Sequence, residues 1–385
     1  MSDTGPEGTA PRAASVGRAG PRPAAAGAGQ ERAGIRLARP DVGEAELAAV
    51  ADVLATGQLT MGPQVEAFEA GLAHAVGTAE AVAVSSGTAA IHLALLALGI
   101  GEGDEVIVPA YTFPATANAV ELCRGRAVLV DVDPETFLAR PELVAEAVTR
   151  RTRAVLAVHL FGRPVEWEEL QTAVPQEVVL LEDAAGALGA TYRGTSCGAL
   201  GLMGCLSFHP RKIVTTGEGG AVTTDEAELA GAVRRLRHHG ITAGGFDIPA
   251  PGLNYRLADV LCALGIPQLE RLDALLDARE RVAGWYTERL EPLVGTPGAS
   301  EGDRHGWQAY VVTLDRRDEA LAGLRAEGIE AQIGTYAVNR LSAYRDRGAF
   351  PGADAAFARA LALPFAATLT EDDVDRVTTA LARFV

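Results

Sequence analysis

Of the 34 lysine and arginine residues in this 385-residue chain, one is a lysine, Lys212. Arginine can stand in for lysine as a surface cation, in an ion pair or at a phosphate. It cannot stand in as a nucleophile, because a guanidinium stays protonated. A side chain that must shed its proton and attack a carbonyl has to be a primary amine. Lys212 lies in Ser207-Phe208-His209-Pro210-Arg211-Lys212, and Gly217-Glu218-Gly219-Gly220 follows shortly after. Chance survival in an arginine-biased composition also explains a lone lysine, but the glycine-rich flank favours a catalytic one.

Other residues add to this amine. Ser86-Gly87-Thr88 falls between an apolar strand and a helix. A helix start offers free N–H groups and the positive end of a dipole, which suits a phosphate, although Ser and Thr there also serve as plain caps. Asp183 ends a buried strand, where open α/β sheets place ligands. It reads as a helix cap or as a carboxylate that keeps a heterocyclic nitrogen protonated. Phe113, just past a strand end, is a core aromatic or a platform for a planar ring. Ser207 is a turn serine or a second phosphate donor. Asn254 in Gly252-Leu253-Asn254-Tyr255-Arg256 is a helix cap or a donor reaching a phosphate across a subunit interface. Together they offer a phosphate cradle, a ring platform, a partner for a ring nitrogen and a unique amine. One cofactor, pyridoxal 5′-phosphate (PLP), fits all four.

The elements that must position these residues follow from hydrophobic rhythm. Helical spacing of apolar residues predicts helices over 44–55 and 65–76. Short apolar strands then alternate with helices: strands at 81–85, 105–109, 127–132, 154–160, 178–181, 204–208 and 220–223, helices at 89–98, 116–123, 141–149, 165–173 and 226–238. Strands without polar alternation, separated by helices, predict a mostly parallel seven-stranded sheet covered on both faces. Long helices over 259–293 lead to a smaller α+β domain, with strands at 308–314 and 329–333 and helices at 319–327, 353–361 and 371–384. The expected organisation is a tail over 1–34, a large α/β domain over 35–258 and the long helices with the small domain over 259–385. The tail is rich in Ala, Gly, Pro and Arg, with too few large apolar side chains to offset the cost of ordering, and reads as disordered.

Composition narrows the function. A net charge of −16 gives no basic face for nucleic acid. The longest apolar runs fall short of the ~18 residues of a membrane span. The first residues lack the apolar core of a secretion signal. Four cysteines without metal-ligand spacing read as reduced thiols in a cytoplasmic protein.

The sequence resembles the DegT/DnrJ/EryC1/StrS aminotransferases, sugar aminotransferases of the fold-type I PLP-dependent transferases. The matching stretches are Leu59-Thr60-Met61-Gly62-Pro63 with Phe68-Glu69, Ser86-Gly87-Thr88-Ala89-Ala90, Gly103-Asp104-Glu105-Val106-Ile107-Val108-Pro109 with Thr112-Phe113, Glu182-Asp183-Ala184-Ala185, Ser207-Phe208 with Lys212, Gly217-Glu218-Gly219-Gly220, and Asn254-Tyr255-Arg256 with Gln268-Leu269. The resemblance implies a Schiff base between Lys212 and PLP, with Asp183 at the pyridine nitrogen. It gives the phosphate to Gly87, Thr88 and Ser207, and the ring face to Phe113. It implies a homodimer in which Asn254 reaches the partner's phosphate. The implied reaction moves an amino group from glutamate or glutamine to a keto sugar, most often nucleotide-linked. A keto-cyclitol acceptor and a PLP-binding regulatory protein without turnover are the alternatives. Sugar dehydratases of this fold carry His where the Schiff-base lysine stands, and Lys212 argues against them. Three positions depart from the common pattern. Gly186 stands where many members carry Gln or His, Gly334-Thr335-Tyr336 where His-Tyr is frequent, and Trp307-Gln308 where Trp-His is frequent.

Overall fold

In a computed structural model the described residues are 34–242, 244, 245 and 247–385. The tail expected over 1–34 lies, but for Gly34, outside them. Two helices lead in, α1 (Glu44–Thr56) and α2 (Pro63–Val76). Alternation follows: β1 (Glu80–Val84), α3 (Gly87–Ala97), β2 (Glu105–Pro109), the short β3 (Tyr111–Thr112), α4 (Ala115–Leu122), β4 (Arg126–Val130), α5 (Pro141–Ala147), β5 (Thr152–Val158), α6 (Trp167–Ala173) and β6 (Val179–Asp183). A small hairpin, β7 (Thr191–Tyr192) with β8 (Thr195–Ser196), precedes β9 (Met203–Ser207) and β10 (Gly220–Thr224). Helices α7 (Ala227–Leu236), α8 (Asp259–Glu270) and α9 (Leu272–Leu290) come next. The chain ends with β11 (Tyr310–Thr313), α10 (Arg317–Ala326), β12 (Gln332–Ile333), β13 (Tyr336–Ala337), α11 (Pro351–Arg359), β14 (Ala360–Leu363) and α12 (Glu371–Leu381).

Seven strands form one sheet in the order β1-β10-β9-β6-β5-β2-β4. Strand β10 runs antiparallel to both neighbours, and the other pairings of its partners are parallel. Six strands therefore point one way. Their carboxyl ends bring the turn after Val84, Asp183 and Ser207 to a single edge. Register fixes this: Gly220 pairs with both Val84 and Ser207, and Asp183 pairs with both Val158 and Cys205. The strands are buried almost throughout, as a sheet covered on both faces requires.

A second, three-stranded sheet has the order β11-β14-β12 and its own core, in which Tyr286, Tyr310, Leu361 and Leu363 are almost unexposed. The sequence predicts a helix over 353–361; the helix stops at Arg359, and the next four residues form the central strand of this sheet. Pairing on both sides, with β11 and β12, outweighs the helical preference of Ala and Leu there. Residues 34–385 form one compact unit. Among the described residues no helix is long and apolar enough to cross a membrane. All four cysteines are buried and unpaired.

Candidate active site

The Lys212 segment is held from several sides. Phe208 is fully buried against Phe68 of α2, ring edge to face at 5.2 Å. Thr215 Oγ1 donates to the Phe208 carbonyl at 2.9 Å. Gln268 of α8 accepts from Thr215 N–H at 2.9 Å and donates to the Thr215 carbonyl at 2.8 Å, a reciprocal pair that locks the loop. The motif residues Phe68 and Gln268 thus act by packing and bracing rather than by touching a ligand.

Lys212 faces a cavity of about 520 Å³ that also exposes Gly87, Thr88, Phe113, Asp183 and Ser207. Six of the seven sequence-predicted site residues meet there. The seventh, Asn254, is exposed outside this wall, its Oδ1 accepting from Arg256 Nε at 3.0 Å.

One end of the cavity suits an anion. Ser86 caps α3, its Oγ accepting from Ala89 N–H at 3.0 Å, so the serine hydroxyl is already engaged. The first helical N–H groups, at Gly87 and Thr88, remain open. A Cβ at Gly87 would lie 2.8 Å from Ser207 Cβ and 3.1 Å from its Oγ, so only glycine lets the helix start meet Ser207. The result is a cradle of backbone N–H groups and two hydroxyls, Thr88 and Ser207.

Asp183 supplies a carboxylate. It is buried, accepting from Thr116 Oγ1 at 2.7 Å and from Ala185 N–H at 3.2 Å. Burial pushes its carboxyl up, against those two hydrogen bonds and the Lys212 charge. An ionised Asp183 is therefore best served by a cation beside it. Desolvation lowers the Lys212 ammonium to about 8, with Asp183 opposing that fall and the cations Arg211 and Arg279 adding to it. A ligand with a phosphate, a protonatable ring nitrogen and a carbonyl carbon fits these residues, and PLP has all three.

Behind Asp183, His159, Glu182 and Cys197 bring their ligating atoms within 4.8 Å of one another. The lone pairs of Glu182 and His159 are committed. Glu182 accepts N–H groups from Gly198 at 2.6 Å and from Leu200 and Gly201 at 2.8 Å. Val165 N–H donates into His159 Nδ1 at 3.1 Å, which leaves the proton on Nε2, 2.9 Å from Glu182. The cluster braces the strand end that carries Asp183.

Residues 40–382 match the model of the DegT/DnrJ/EryC1/StrS aminotransferase family. The chain belongs to that family. It is a PLP-dependent aminotransferase. GDP-perosamine synthase of Caulobacter vibrioides is 41% identical to it over 326 residues, 82% of this chain and 88% of that protein. DesV from S. venezuelae, solved in complex with a ketimine intermediate, has a TM-score of 0.84 at 36% identity, covering 88% of this chain and 93% of that one. The sugar aminotransferase CalS13 from Micromonospora echinospora has a TM-score of 0.85 at 29% identity, covering 91% and 99%.

The cavity of the aminotransferase also exposes residues to which the sequence assigns no role. Phe113, 60% exposed, meets Tyr336 edge to face at 6.1 Å, because β3 pairs with β13 across more than two hundred residues. His159 and Gln308 line the same wall, and Arg211 Nη1 donates to Gln332 Oε1 at 2.6 Å there. Gln308 and Tyr336 stood out in the sequence only as departures from the family pattern, and His159 carried a signal as a polar residue just after a buried strand.

Proposed function

We propose that this aminotransferase moves an amino group from glutamate or glutamine to a keto sugar carried on a nucleotide diphosphate, in the cytoplasm, as a homodimer. One observation carries the reading: the only lysine of the chain faces a cavity between an anion cradle and a buried carboxylate. The sugar acceptor draws support from relatives named GDP-perosamine synthase and sugar aminotransferase.

PLP, when bound, supplies an electrophilic carbon that takes up amines and a ring that withdraws electrons. The residues do the rest. Gly87 and Thr88 N–H groups with the Thr88 and Ser207 hydroxyls hold the phosphate. Asp183 keeps the ring nitrogen protonated, and Phe113 lies against the ring. Lys212 would hold the cofactor covalently through Nζ. When not bonded to the cofactor, Lys212 Nζ would lie in a buried position that favours its neutral form. Nζ would then take the donor Cα proton as general base and give it back as general acid. Overall the donor would leave as a 2-oxo acid whose carbonyl oxygen comes from water, and the amino group would pass to the keto sugar, whose carbonyl oxygen leaves as water. Asn254 adds a phosphate donor to the partner's site.

The test is incubation of the PLP-loaded enzyme with glutamate or glutamine and a panel of nucleotide-linked keto sugars, read by mass spectrometry. An amino sugar product with 2-oxo acid release is expected. Turnover of keto-cyclitols alone assigns a cyclitol acceptor, and failure to convert the cofactor with either donor assigns a protein without turnover.

A further inference from the structure

Gln308 lines the cavity, yet its side-chain amide makes no hydrogen bond among the described residues. The chain spends considerable order on its placement. Gln308 N–H donates to the Phe161 carbonyl at 3.0 Å. Arg279 Nη1 donates to the carbonyls of Trp307 at 2.8 Å and Gln308 at 3.3 Å, and Nη2 reaches the Lys212 carbonyl at 3.5 Å. One buried guanidinium thus ties Gln308 to the peptide of Lys212. The side chain lies over Gly186, three residues after Asp183. A Cβ built at Gly186 sits 3.4 Å from Gln308 Oε1, 3.5 Å from its Cγ and 3.6 Å from its Cβ. A methyl group fits there, but anything longer must enter the space that Gln308 fills. Oε1 is the amide atom nearest Gly186, which leaves the donor Nε2 clear of that contact.

The reading proposed above accounts for three polar attachments of PLP: its phosphate, its ring nitrogen and its carbonyl carbon. The fourth is the phenolic oxygen. It projects from the ring edge opposite the phosphate arm, between the carbon bound to Lys212 and the side facing Asp183. Gln308 is tied to Lys212 through Arg279 and lies against the loop that leaves Asp183. We propose that Gln308 tunes the cofactor by donating its side-chain amide N–H to the phenolic oxygen of PLP. An ionised phenolic oxygen that accepts this bond is less basic. It holds the shared proton at Lys212 Nζ less firmly, so the proton leaves at lower pH.

This rests on the PLP reading of Lys212 and Asp183, and the test separates the two. The full-length PLP-loaded enzyme is first treated with borohydride, and then the visible absorbance of untreated enzyme is titrated against pH. Loss of the amide in Gln308→Met, which keeps the length, or Gln308→Ala should raise the midpoint by about one pH unit, the scale of one hydrogen bond to a charged group. The other charged and titratable groups around Nζ and the cavity, namely His159, Asp183, His209, Arg211, Glu218, Arg279 and Tyr336, are the same in each variant. Adding Gly186→Gln to Gln308→Ala returns an amide to the same space from the other wall and should bring the midpoint back. If only one Gln308 variant folds, that variant decides. An unmoved midpoint with borohydride-labelled Lys212 overturns the role of Gln308 alone, including when the melting temperature falls, because Gln308 then only braces the fold. A wild-type chain with no cofactor fixed at Lys212 overturns the PLP reading and this role with it.

Discussion

Arg279 lies beneath Lys212, its Nη2 3.5 Å from the lysine's own carbonyl oxygen. Among the described residues its hydrogen-bond acceptors are all backbone carbonyls, and burial lowers the guanidinium to about 10. The chain thus keeps a cation under the amine that has to lose a proton.

In the cofactor-free protein the single lysine should react with an amine-directed reagent at half its maximal rate near pH 8, because only the neutral amine attacks. Arg279→Met should move that midpoint upward, by less than about one unit, since desolvation rather than charge is the larger cause. The same shift has a stability signature. Between about 8 and 10.5 the unfolded chain binds the proton that the folded chain has lost, so the cofactor-free fold gains stability as pH rises through that window. Lys212→Met should abolish that gain. Peptide mapping of the labelled fraction and melting curves at two pH values check both points, and a labelling midpoint near 10.5 would contradict them.

Asp183→Asn should leave the melting temperature near wild type and lower the rate of cofactor conversion by glutamate on the order of 10²–10³-fold, the usual cost of one electrostatic stabiliser. Thr116 and Ala185 bond different oxygens of Asp183, so Asn keeps an acceptor for one of them and turns its amide nitrogen to the Thr116 hydroxyl or the Ala185 side, but it cannot hold a proton on a ring nitrogen. Thr116→Val removes one of those donors and lets the Asp183 carboxyl rise further, so a smaller loss of the same kind is expected. Stopped-flow spectroscopy of the half-reaction measures both. Wild-type rates in Asp183→Asn would make the carboxylate a structural residue.

The large sheet was legible because its strands are apolar throughout and its helices keep their own rhythm, so one-dimensional spacing carries the information. Asp183, Gly87 and Ser207 were legible for the same reason, since each sits at a strand end or helix start, and Lys212 because it is the only lysine of the chain. Strand β14 was not legible. Ala360-Leu361-Ala362-Leu363 continues the composition of α11, and only pairing with two strands distant in sequence makes it extended. Tyr336 beside Phe113 likewise depends on the β3–β13 pairing, and Gln308 over Gly186 on a contact across the fold. No local pattern encodes such meetings.

A chain beginning at Gly34 should match the full-length protein in activity and melting temperature, because residues 1–33 have too few large apolar side chains to dock. A chain beginning at Val42 should not. Ile35 is 5% exposed, and its backbone bonds to Gly328 at 3.0 Å and Glu330 at 2.8 Å. Its side chain alone contributes about 1.5–3 kcal/mol, and Leu37 and Ala38 are part of the cavity wall. Thermal melts and PLP titration of the two truncations test this. Equal behaviour would mean the segment is idle.

A mixed dimer tests whether the site is shared. Lys212→Ala and Asn254→Ala are each expected to be nearly inactive alone. If Asn254 serves the partner, the lysine-bearing subunit of the hybrid receives an intact Asn254 and about one site per dimer recovers. If it serves its own subunit, nothing recovers. In a twofold assembly both sites are completed by the same exchange. Native mass spectrometry establishes that hybrids form, and activity then decides.

Strand β1 pairs along its whole length with β10, from Glu80 opposite Thr224 to Val84 opposite Gly220. During synthesis it leaves the ribosome about 140 residues ahead of that partner. At about 5–20 residues per second the gap lasts roughly 7–28 s. Throughout that interval the nascent chain carries an apolar strand whose native neighbour does not yet exist, and such an edge can pair with another chain. Helix α3, one turn downstream and buried on most sides in the finished protein, waits with it. The turn that forms the anion cradle is therefore made early and completed late. How long it stands open to aggregation is set by the pace of translation between codons 84 and 220.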